Sequence, residues 1–129
     1  MNNHFEQNYP ITTNPALFVR KKAVAVMFGD ERINVKSWRG VYKEVITRCY
    51  ESPENHKMLM WLRDKTGGKI RTFISKSPDG MSRAMKIADD VYCEVHYGSQ
   101  TLMWILVEHL LKPARFNLSD VRVVFVNRK

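Results

Sequence analysis

A chain of 129 residues with 44% hydrophobic and 26% charged content has room for one core without disulfides or metals. Those values exclude a disordered or fibrous chain, and no apolar run approaches the roughly 18 residues that a membrane-spanning helix requires. The balance of 21 basic against 13 acidic residues, a formal charge of +8, favours a polyanionic partner, although net charge alone speaks to non-specific attraction rather than to fold.

Residues 1–15 are polar, asparagine-rich and interrupted by Pro10 and Pro15, which predicts a flexible N-terminal tail ahead of a single domain over 16–129. The start lacks the cationic and apolar pattern of a secretory signal, so a bacterial or viral cytoplasm is the expected setting. Arg20, Lys21 and Lys22 lead into AVAVMF, and Gly29-Asp30 separates that run from RINV, the pattern of a β-hairpin. The three cations suit a solvated strand end better than an anion contact.

Ser37 is a good N-cap for the next element. Trp38, Val41, Tyr42, Val45, Ile46, Cys49 and Tyr50 follow at helical spacing, with a mixed-charge outer face that includes a Glu44–Arg48 pair four residues apart. Ser52-Pro53 stops this helix and starts another, expected from Pro53 to about Lys65, with Met58, Leu59, Trp61 and Leu62 as its apolar side and Gly67-Gly68 as its stop. Trp38, Trp61 and Trp104 all fall on expected core faces, although any of them would serve as an exposed anchor. Cys49 and Cys93 also fall on core faces and are expected to be reduced, structural thiols.

The segment from Arg63 to Lys86 holds seven cations against two anions, over half of the chain's excess charge. Within it KIRTFIS alternates like a strand, and Ser77-Pro78-Asp79-Gly80 is a strong turn signal. Lys65, Lys69, Arg71, Lys76 and Arg83 are suited to track a phosphate backbone while Phe73 offers a stacking face; a solvated hairpin with Phe73 in the core is the plainer alternative.

Asp89 to Leu111 reads as a turn, a strand, a glycine corner and the most apolar helix of the chain. Val91, Cys93, Val95 and Tyr97 share one strand face, and Tyr92, Glu94 and His96 the other. Gly98 supplies the corner, Ser99 the expected N-cap, and Pro113 ends a helix whose stripe of Leu102, Ile105, Leu106, His109 and Leu110 calls for burial on more than one side. Val121 to Val126 is a last, largely buried strand.

Catalytic signatures are weak. KTGGKI lacks the spaced first glycine of a phosphate loop and has Ile70 where a magnesium-binding hydroxyl is needed, so nucleotide hydrolysis through that loop is rejected. Gly98 to Thr101 presents an anion-ready helix start, for which capping of its own helix is the simpler account. Asp89, Asp90, Glu94 and His96 are the minimal elements of a metal-dependent nuclease centre, with no further acid or lysine fixed beside them. His4, His56 and His109 have no metal-ligand spacing.

The succession Ser37-Trp38, a later basic strand, Tyr92-x-Glu94 before Ser99, Leu110-Leu111 and Ser119-Asp120 resembles a small module of bacterial mobile elements and restriction-linked proteins, over roughly 24–126. That module has no established activity, so the resemblance implies a context of DNA conflict or mobility and carries over no functional residue.

The expected fold is α+β, a single domain with a mixed or mainly antiparallel sheet from residues near 23–28, 32–35, 70–75, 84–87, 91–97 and 121–126, packed by three helices. The expected function is that of a non-enzymatic accessory protein binding DNA or RNA through Lys65, Lys69, Arg71, Lys76 and Arg83. The alternative is an adaptor or inhibitor that binds an acidic surface of a larger nucleoprotein complex, as a monomer or as a homodimer through a sheet edge. A nuclease ranks below both. No cofactor, metal or membrane partner is expected.

Overall fold

The computed structural model describes residues 5–65 and 73–128. The fold is α+β, with three helices and two antiparallel sheets. The first sheet runs in the order β1 (Gln7–Pro10), β7 (Val121–Asn127), β2 (Lys21–Phe28), β3 (Glu31–Asn34). The second runs β4 (Ile74–Ser75), β6 (Val91–Glu94), β5 (Ala84–Ala88). One continuous sheet was the expectation. Alternation along a strand records which side chains are buried but not which strand is the neighbour, and helix α1 (Trp38–Glu51) packs against both β2 and β5. No helix among the described residues is long and apolar enough to cross a membrane.

The N-terminal stretch is corrected from Gln7 onward. Gln7 pairs with Phe125 and Tyr9 with Val123, and Pro10 is tolerated because β1 is an edge strand. The Tyr9 ring stacks on Phe125 with centroids 5.6 Å apart, and Ile11 is buried. A 3₁₀ turn at Pro15–Phe18, capped by the Asn14 side chain, inserts Phe18 between Trp38 and Phe125 at 4.7 and 5.5 Å. Such ring pairs contribute about 1 kcal/mol each beyond their area. They tie the turn, α1 and the first sheet together.

The hairpin closes through Gly29, whose φ of +61° as the first central residue of a two-residue loop needs glycine. Ser37 caps α1 by accepting from the Gly40 N–H at 3.2 Å. The outer-face pair is different from the expected one. Arg48 bonds Glu31 at 2.8 Å and lies over the Phe28 ring, because the hairpin brings a carboxylate and a ring face to it at once. Helix α2 (Pro53–Lys65) buries Leu59 and Leu62 but leaves Trp61 52% exposed, so Trp61 is corrected to the surface.

Helix α3 (Ser99–Trp104) continues as a π-helical segment over Ile105–Leu111. Gly98 takes the cap position, and Ser99 instead donates its hydroxyl to the Phe18 carbonyl at 3.1 Å. The wider turn is visible in the Lys112 N–H bonding the Val107 carbonyl five residues back.

Tyr42 is fully buried on α1, and no hydrogen-bond partner of suitable geometry meets its hydroxyl. Burial, with the Cys93 thiol nearby, pushes its phenol well above the ordinary tyrosine range. Tyr42→Phe removes a desolvated hydroxyl without disturbing the ring, so urea unfolding should show stability unchanged or raised by about 1 kcal/mol. A loss of about 1 kcal/mol or more would mean that the hydroxyl is satisfied in solution.

Candidate nucleic-acid interface

The second sheet has two ends, and candidate side chains gather at each. At the β6 C-terminal end, the Glu94 N–H donates to the Phe73 carbonyl at 3.0 Å, the Val95 N–H to the Arg83 carbonyl at 2.9 Å, and Arg39 Nε to the Val95 carbonyl at 3.2 Å. Phe73, Arg83 and Arg39 therefore converge on one end. Lys76 follows β4 at the other, where Ser75 pairs with Tyr92. That is about 10 Å of strand away.

A row of rings lies across the first end. Trp104 and His109 meet edge to face with centroids 4.5 Å apart, His109 and Phe73 are 5.1 Å apart, and Phe73 and Tyr97 are 6.5 Å apart. Trp104 is 46% exposed, His109 is exposed, and Phe73 and Tyr97 are partly buried. The α-helical expectation put His109 and Trp104 on buried stripes. In the wider π-helical turn residues five apart come closer round the axis, which sets His109 against Trp104. Phe73 is neither a free stacking face nor core; its ring is the middle of this row.

The cations are partly engaged. Lys65 Nζ lies 4.5 Å from the centroid of the Trp61 ring, an exposed cation–π pair one turn apart on α2. Asp64 accepts from Arg63 Nε at 3.0 Å and sits 3.8 Å from Lys76 Nζ, and these cations hold its carboxyl below the usual aspartate range, the Arg63 hydrogen bond first. Arg63, with only 10% of its side chain exposed, also bonds Asp90 Oδ2 at 2.9 Å and so fastens α2 to the β5–β6 turn. Lys76 and Arg83 stand at opposite corners of the sheet rather than in one cluster, since β4 and β5 flank β6 on different sides. Lys69 and Arg71 lie outside the described residues. Arg39 went unrecognised in the sequence because its helical position reads as solvated. Its partner, the Val95 carbonyl just past the end of β6, is 56 residues away in sequence.

The acids considered for metal chemistry are engaged elsewhere. Glu94, buried rather than on the outer strand face, accepts from the N–H groups of Ser82, Arg83 and His96 at 2.6, 2.8 and 3.2 Å. Asp90 holds Arg63, Asp89 lies 3.2 Å from Lys86, and His96 is exposed. Among the described residues no group of three or more His, Cys, Asp or Glu side chains is placed to hold a metal ion. Burial pushes the Cys49 and Cys93 thiols up to about 12, which keeps them protonated and unreactive near neutral pH.

A cleft of about 800 Å³ lies between α1, the β2–β3 turn and the loop before β7, with Glu31, Glu44, Glu51 and Asp120 against Arg48 on its walls. That lining is predominantly acidic, which disfavours an anion there. A smaller hollow of about 270 Å³ opens beside Trp104, lined by Asn14, Pro15, Gln100 and Thr101. Comparisons with protein-family models, with curated proteins and with solved structures gave no match for this chain, so these side chains themselves are what speaks to function.

Proposed function

We propose that this protein is a non-enzymatic accessory protein that binds single-stranded nucleic acid. The observation that carries this is the row of rings Trp104, His109, Phe73 and Tyr97, exposed at Trp104 and His109 and half-buried at Phe73 and Tyr97, with Arg39 and Arg83 at the same sheet end. Base–ring stacking tolerates any sequence, and flanking cations follow the backbone. A duplex hides its ring faces, so the row favours unpaired bases over paired ones. Lys65 and Lys76 at the other end extend the track, and the sequence between α2 and Phe73 contributes Lys69 and Arg71. A setting in DNA mobility or conflict systems, implied by the module resemblance, suits such a role.

The test is a fluorescence-anisotropy titration of labelled single-stranded DNA, single-stranded RNA and duplex DNA over a range of salt. Single strands should bind more tightly than duplex, with log affinity falling linearly in log salt. Charge reversal of Lys65, Lys76 and Arg83 together should flatten that slope by about 2, at roughly 0.7 per phosphate contact. Lys43→Glu, on the outer face of α1, should not change it. Absence of binding at low salt would refute the proposal and leave a protein-binding adaptor as the account of the charge.

A further inference from the structure

We infer that the hollow beside Trp104 is a nucleobase pocket, the place where one unpaired base leaves the strand and is held. The inference rests on the strand-binding function proposed above and adds to it a named subsite. Its lining of Asn14, Pro15, Gln100, Thr101 and Trp104 carries no charge, so neither phosphate, carboxylate nor cation finds a counter-ion there. What it offers is one indole wall, two amides and a hydroxyl. That is the chemistry of a neutral planar heterocycle with a hydrogen-bonding edge.

Size agrees. About 270 Å³ lies just below the range of drug-sized ligand sites and has room for a single ring system. The walls are also held in place before a base arrives. His109 braces the Trp104 ring edge to face. The Asn14 side-chain oxygen is bound to the Ala16 N–H at 3.0 Å, which orients the amide and leaves its NH₂ to donate. Behind it the 3₁₀ turn is anchored by buried Phe18, whose carbonyl accepts the Ser99 hydroxyl next to Gln100. A site whose groups are already ordered loses less entropy on binding. The pocket lies on the same Trp104 that forms the exposed end of the ring row, so a strand following the row delivers a base to it.

The experiment uses single-stranded DNA carrying one 2-aminopurine, whose emission falls when it stacks on an indole, and follows anisotropy and emission in the same titration. A base that leaves the strand loses the quenching by its neighbours and regains it from the indole, so at saturation the wild-type complex should be dimmer than the Trp104→Ala complex. Trp104→Ala should abolish the quenching and weaken binding by about tenfold or more, while Trp104→Phe, which keeps a stacking face, should retain much of both. Gln100→Leu should keep the stacking yet lose discrimination among oligonucleotides that differ in the base offered. Binding by anisotropy with emission unaffected by Trp104→Ala would overturn the pocket and leave strand binding intact. No anisotropy change at any salt concentration would overturn both.

Discussion

Glu94→Ala is expected to lower the unfolding free energy by about 3 kcal/mol, and Glu94→Gln by about 2 kcal/mol. The carboxylate is 4% exposed and accepts three backbone N–H groups, from Ser82 and Arg83 ahead of β5 and from His96 beyond β6. Alanine leaves those partly buried donors without their acceptor, and each lost charge-assisted bond is a large one. Glutamine restores one acceptor but turns an NH₂ toward another N–H. Urea unfolding monitored by circular dichroism gives the values, and hydrogen exchange should show amides 82, 83 and 96 losing protection first. The outcome separates two roles for this side chain. An acid retained for metal-dependent chemistry commonly sits at some expense to stability, so its removal leaves stability unchanged or raised. A shift smaller than about 1 kcal/mol would therefore count against the structural role and return Glu94 to the list of catalytic candidates.

Asn55 should be nearly as sensitive, with a pH signature. Its NH₂ donates to the carbonyls of Ala114 and Arg115 at 3.0 and 2.9 Å, while its oxygen accepts the Ser52 hydroxyl at 2.7 Å. The side chain is 8% exposed and clasps the start of α2 to the chain leaving the π-helical segment. Asn55→Ala orphans the fully buried Ala114 carbonyl region and should destabilise by about 2 kcal/mol. Asn55→Asp should be worse at neutral pH, because a carboxylate would face two carbonyl oxygens. Protonation relieves that repulsion, so the folded-state pKa of the new acid is raised. The folded state then binds more protons than the unfolded one, and the stability of the Asp variant should climb toward the Ala variant as pH falls from the raised folded-state pKa to about 4, the ordinary aspartate value, and level off below it. Equal stability of the two variants across that range would show that the amide does not face the carbonyls in solution.

Much of the fold was legible because its signals are local. Ser37 with its periodic apolar partners and the Ser52-Pro53 junction mark α1 and α2 where the structure has them. Gly29-Asp30 marks the β2–β3 hairpin for the same reason, a backbone conformation that few residues tolerate. The candidate site was legible only in part. A run of lysines and arginines announces itself, but the sequence does not say that Asp64 sits against Lys76 or that Lys76 and Arg83 stand at opposite corners of a sheet. His109 was hidden by its own helix: at α-helical spacing it falls on the apolar stripe, and the wider π-helical turn sets it against Trp104, the last residue of the α-helical part.

By itself the sequence determined the α+β class, the bounds of α1 and α2, the β2–β3 hairpin, the buried free cysteines and the basic character of the chain. These depend on caps, turn residues, periodicity and charge, each read within a few residues. Tertiary structure decided the rest: the pairing of β1 with β7, the division into two sheets, the burial of Glu94 under three amides, and the ring row beside a neutral hollow. Each of those depends on which distant segment becomes the neighbour. Periodicity shows that a face will be covered, and only the assembled chain shows by what.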